Sequence, residues 1–191
     1  MPQRTIAAGG GNWNSTGTWV EGAVPTSSDF VVGNASSGQL TINVAAACQY
    51  VDFTSWTNTL TMNNTLTLSL ASSTNTFGSG MSFAGTNSII FGAVASTIVQ
   101  NTTNRIPQTT FNGTVTRTLS TNVYTNSFIY SNFPTFNGNT IYVGGNFYTL
   151  NNVSIGQTGG IGGTTSFILD GNGIFGAAFS NTLMVLKATC G

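Results

Sequence analysis

Leu60-Thr61-Met62, the turn signal Asn63-Asn64, then Leu66-Thr67-Leu68-Ser69-Leu70: this stretch decides the fold class. Apolar and polar residues alternate with a period of two, which in an extended chain places the aliphatics on one face and Thr or Ser on the other. The same rhythm runs through Leu40-Thr41-Ile42-Asn43-Val44 and Val51-Asp52-Phe53, and again at residues 88–91, 141–143, 147–150, 167–169 and 183–186. Asn112-Gly113, Asn137-Gly138, Gly144-Gly145 and Asp170-Gly171 separate later runs with residues that favour turns. Many short strands with close turns predict an all-β protein. Helix formers are sparse, and only residues 44–49, with Ala45-Ala46-Ala47, suggest a single helical turn.

Three features favour a right-handed parallel β-helix, or solenoid. Outward positions are mostly Thr, Ser and Asn, which stack as ladders of like residues without charge repulsion. Aliphatics come in short bursts. Gly-rich corners such as residues 156–163 suit sharp bends between faces. At roughly 20–30 residues per coil the chain would hold on the order of seven coils. No repeat of fixed period is visible, and Asn-Gly turns serve antiparallel hairpins equally well, so a β-sandwich or jelly roll is the alternative. The 191 residues read as a single domain, residues 1–191, with a cap-like N-terminal block over residues 1–35 and a β-coil body over 36–191.

Composition narrows function. Only 4% of residues are charged and none is His, against about 25% charged in an ordinary domain. Hydrophobic residues make up 40%, so low charge here does not mean disorder. Most acid, base and nucleophile-activating groups are missing, and the expectation is a non-enzymatic protein without cofactor or metal. Arg4, Arg105, Arg117 and Lys187 are scattered, which argues against nucleic-acid binding. The apolar run at 89–99 is too short to span a bilayer, and the first residues carry no signal-peptide core, so neither membrane insertion nor export by a cleaved signal is expected. A chain with zero net charge lacks repulsion between copies and tends to associate. Cys48 reads as a small buried apolar residue and Cys190 as a free thiol.

Three residues stand out as interface or cap candidates. Trp13 and Trp19 share a parity and would fall on one face of an extended chain, either closing the end of a solenoid or offering a sugar-stacking platform. Arg117 shares a parity with Val115 and Leu119, which puts a charge on the apolar side of a strand. It would guard an edge, meet a carboxylate of a neighbouring subunit, or be turned outward by a register change at Gly113. Glu21 and Asp29 flank one turn and are the nearest thing to a paired-carboxylate site, although Asp29 as a turn cap and Glu21 as a solvated group is the simpler reading. Asp52 should point outward from its strand, and Asp170 belongs to a turn.

The run GGGNWNSTGTWVEGAVPTSSDFVV, followed by LTINVAAACQYVDFTSWTNTLTM, resembles the opening of a loosely defined group of bacteriophage and surface-exposed β-rich structural proteins. The likeness covers residues 9–62. It departs at Ser28-Asp29, where the group often carries two acidic residues. The resemblance implies a virion structural protein, a capsid decoration or a tail fibre or spike component, made in the host cytoplasm. Its partners would be copies of itself and other virion proteins, and a host surface glycan is the further partner to consider. The alternatives are a bacterial surface adhesin or passenger module, located extracellularly, and a carbohydrate-binding module.

Overall fold

A computed structural model describes residues 1–69, 72–113, 115–131, 135–145 and 147–149, with three short strands beyond them. The chain opens with β1 (Gln3–Thr5), β2 (Gly11–Asn12) and a 3₁₀ helix (Thr16–Thr18). It then winds. The first turn holds β3 (Phe30–Val32), β4 (Leu40–Ile42) and β5 (Ala46–Cys48), and the second β6 (Val51–Phe53), β7 (Thr59–Met62) and β8 (Leu66–Leu68). The third holds β9 (Ser73–Phe77), β10 (Ser82–Gly85) and β11 (Ser88–Phe91), and the fourth only β12 (Ser96–Gln100) and β13 (Gln108–Asn112). The fifth holds β14 (Thr116–Leu119), β15 (Val123–Thr125) and β16 (Phe128–Ser131). Strands of further turns follow: β17 (Thr135–Gly138), β18 (Ile141–Val143), β19 (Phe147–Thr149), β20 (Gly162–Gly163), β21 (Phe167–Leu169) and β22 (Phe175–Gly176).

Strands of successive turns pair in parallel. One face is an eight-stranded sheet in the order β1-β3-β6-β9-β12-β14-β17-β20, and a second is a seven-stranded sheet from β5 to β22. The third face is split into β10-β7-β4-β2 and β15-β18-β21. This is a parallel β-solenoid, not a sandwich or jelly roll. The register advances from Val31 to Val51, Ser73 to Ser96, Ser96 to Arg117 and Arg117 to Phe136, by 20, 23, 21 and 19 residues. Coil length therefore varies at the corners, and a fixed period never appears in the sequence.

The period-two pattern is realised as an inside and an outside. Leu40, Ile42, Leu60, Met62, Leu66 and Leu68 are buried, while Thr41, Thr61 and Thr67 between them are half-buried on the outer surface. Like residues stack along the axis, as in Phe91 on Phe111 (centroids 4.8 Å apart) and Phe111 on Phe128 (5.3 Å). Such aromatic pairs, the first near-parallel (9°) and the second tilted (37°), add to area burial. Residues 44–49 are not a helical turn: Ala46–Cys48 form β5, because pairing with Leu66–Leu68 in β8 outweighs alanine's helix propensity. Asn63-Asn64 and Gly144-Gly145 do lie at bends. Asn137-Gly138 instead ends β17, with Gly138 at φ +110° where a Cβ would meet the Leu119 carbonyl. The expected strand at 183–186, Asp170-Gly171, Cys190 and the Gly-rich corner at 156–161 lie outside the described residues.

The split in the third face falls at the fourth turn, where no strand forms between β12 and β13. Gln100 replaces it. Its buried side chain accepts from the Tyr124 amide at 3.0 Å and donates to the Tyr124 and Asn104 carbonyls at 3.2 and 3.0 Å. One primary amide thereby supplements the single parallel bridge between Ile106 and Thr125, in which the Ile106 amide donates to the Tyr124 carbonyl and the Ile106 carbonyl accepts from the Asn126 amide. Thr102 Oγ1 and Asn104 Nδ2 do the same downward, both donating to the Met81 carbonyl.

Candidate functional site

A solenoid exposes backbone at its ends, and the N-terminal block is built to cover one of them. Ile6 and Trp19 form an antiparallel bridge, the Val20 amide donates to the Thr5 carbonyl at 2.9 Å, and the Ala7 amide donates to the Thr18 carbonyl at 2.8 Å. The Thr5 amide donates to Glu21 Oε2 at 2.7 Å. Residues 18–21 thus occupy the edge of β1 that β3 leaves open. At β2, the Asn12 carbonyl accepts from Thr18 Oγ1 (2.8 Å) and the Trp13 carbonyl from Trp19 Nε1 (2.9 Å). An edge closed in this way offers no template to an incoming strand.

Trp13 and Trp19 are each only 2% exposed and meet edge to face, 5.1 Å between centroids and 79° between planes. They lie on one face, but the 3₁₀ helix Thr16–Thr18 brings them together, not an extended chain. With both rings buried, neither presents a face on which a sugar could stack.

Glu21 and Asp29 have separate partners. The Asp29 carboxylate is buried and accepts from the Thr26 amide (2.8 Å), the Thr26 hydroxyl (3.0 Å) and Arg4 Nε (3.3 Å). Burial is the largest single influence on its pKa and pushes it up, yet the Thr26 hydrogen bonds and Arg4 together hold it below the ordinary value. Cys48 is buried, and burial, reinforced by the Asp29 charge, pushes its thiol pKa up, so the sulfur stays protonated and unreactive.

Arg117 points inward and is fully buried, which rules out both the edge guard and the outward turn at Gly113. The parity with Leu119, also buried, holds through the strand. Its Nη2 donates to the carbonyls of Gly92 (2.6 Å), Asn112 (2.7 Å) and Phe91 (3.3 Å), while Cζ lies 5.2 Å from the Phe111 ring centre. These carbonyls end β11 and β13, so the guanidinium staples two stacked corners. Among the described residues, Nε and Nη1 are buried without a hydrogen-bond partner. Burial lowers the Arg117 pKa to about 10, and among the described residues no carboxylate lies against it.

Sequence reasoning missed one surface feature. Tyr50 and Asp52 share the outward parity of β6 and line a groove of about 380 Å³ with Ser72, Thr74 and Thr76 on the next turn. The Tyr50 ring stacks on Phe30, 4.9 Å between centroids and 4° between planes. Among the described residues no group of three His, Cys, Asp or Glu could hold a metal ion, and no helix is long and apolar enough to cross a membrane.

No protein-family model matches the chain, nor does any curated protein or solved structure. The class is therefore defined by the fold alone: a parallel β-solenoid with a closed N-terminal end.

Proposed function

We propose that this chain is a non-enzymatic structural protein of a bacteriophage virion, a capsid decoration or a component of a tail fibre or spike, acting through self-association and protein–protein contacts. The observation that carries the reading is the form of the molecule. It is a ladder-bonded rod closed at its N-terminal end, with a surface of Thr, Ser and Asn and almost no charge. Rods of parallel β-structure resist local unfolding because most strands of the body are paired on both sides. A neutral polar surface permits close approach of copies. Closure of the β1 edge directs association to the flanks or to the opposite end. The phage assignment rests on the resemblance of residues 9–62 and on the host-cytoplasm origin that it implies.

The test is absolute mass by light scattering, followed by electrophoresis with and without boiling in SDS. An SDS-resistant trimer supports a fibre or spike, and a monomer that adds to empty capsids supports a decoration protein. A monomer that joins no virion particle, and that antibody to the chain fails to find on purified virions, overturns the proposal.

A further inference from the structure

The groove on the eight-stranded face is a concave site whose outward side chains are unused by the cap or the corner staple. We propose that it binds a neutral saccharide, with Tyr50 as the stacking surface and Asp52 and the hydroxyls of Ser72, Thr74 and Thr76 as hydrogen-bonding partners. The inference is independent of how the chain is used in an assembly.

Four observations carry it. The first is size: about 380 Å³ lies near the lower end of the roughly 300–1,000 Å³ typical of small-molecule sites, and suits one or two sugar rings. The second is the platform. Phe30 backs the Tyr50 ring in a near-parallel stack, so the ring is held in place before a ligand arrives and loses little side-chain freedom on binding. The third is the carboxylate. Asp52 is exposed, and its hydrogen bonds from the Thr54 amide (3.1 Å) and hydroxyl (2.6 Å) both go to Oδ1. Those bonds engage Oδ1, and Oδ2 of the exposed carboxylate is the acceptor proposed for ligand hydroxyls. The fourth is spacing. Asp52 lies beside Thr76 in the parallel register, and strands so paired sit about 4.8 Å apart, comparable to the distance between hydroxyls on one pyranose ring.

The same residues exclude other ligands. No Lys or Arg lines the groove, so a phosphate or an acidic sugar would meet Asp52 without compensation. One carboxylate does not make a divalent-cation site. A mainly apolar ligand would bury the carboxylate and hydroxyls unpaired.

Saturation-transfer NMR on the full chain tests this with maltose, cellobiose, lactose and N,N′-diacetylchitobiose as neutral probes and sialyllactose as the acidic control. The expected result is transfer to at least one neutral disaccharide and none to sialyllactose. Tyr50→Ala should weaken that binding about tenfold or more, and Thr74→Trp, which fills the groove from an exposed position, should abolish it with the thermal midpoint unchanged. If Tyr50→Ala disturbs folding through the lost Phe30 stack, Thr74→Trp alone decides. No transfer to any neutral probe, a preference for sialyllactose, or binding that survives Thr74→Trp overturns the proposal.

Discussion

Arg117 shows how one side chain is judged by its surroundings. A guanidinium with no carboxylate partner is costly inside a protein, and the three carbonyls it satisfies offset that cost only in part. Truncation to Ala leaves a void and removes three hydrogen bonds to those carbonyls, and should cost about 2–4 kcal/mol in urea unfolding. Arg117→Met keeps the volume and removes the charge, so its loss should be clearly smaller; an equal loss in both variants would mean that the carbonyl bonds dominate. Asp29 behaves in the opposite sense. Its folded pKa lies below the ordinary value of 3.8, so its contribution is complete above that value and fades as pH falls through the lower, folded one. Asp29→Asn should lower stability at neutral pH and flatten the acid limb of the stability–pH curve below about pH 4. A curve parallel to that of the unmodified chain would rule this out.

At the scale of elements, the solenoid depends on what happens where a strand is missing. Gln100 completes the pairing of β15 at the fourth turn, so Gln100→Leu should leave the Tyr124 amide unpaired, while the Tyr124 carbonyl keeps the Ile106 amide. The expected loss is about 2–3 kcal/mol, with amide exchange at residues 123–125 accelerating before that of the rest of the body. Uniform acceleration would show that the split in the third face is not a local weak point. Gly85 tests a corner. It ends β10 at φ +85°, and a Cβ there would run into the Met62 carbonyl. Gly85→Ala should therefore destabilise by about 1–3 kcal/mol, whereas Gly22→Ala, at φ +67° in open space, should cost about 1 kcal/mol or less.

For the whole molecule, the closed N-terminal end and the shortage of charge make separate predictions. Trp13→Ala should cost about 3–5 kcal/mol and, by loosening residues 18–21 from the edge of β1, should produce larger species by light scattering. A destabilised variant of unchanged mass would mean that edge closure does not govern association. With 4% charged residues, association of the unmodified chain should be almost unaffected between about 0.05 and about 1 M NaCl. Dissociation across that range would point to ion pairs as the glue.

The sequence by itself determined the fold class, the inward and outward faces of the strands, the outward Asp52 and the buried Cys48. Each of these follows from local periodicity or residue chemistry, which is complete within a few neighbours along the chain. Only the tertiary structure decided that alanines 46 and 47 join a strand, that Arg117 staples two corners, and that Gln100 replaces a missing rung. Only it brought Tyr50 and Asp52 beside Thr74 and Thr76 in one groove. These contacts join residues about one coil apart, and the coils differ in length. Their register is therefore set by stacking the whole ladder, not by anything a short window of sequence contains.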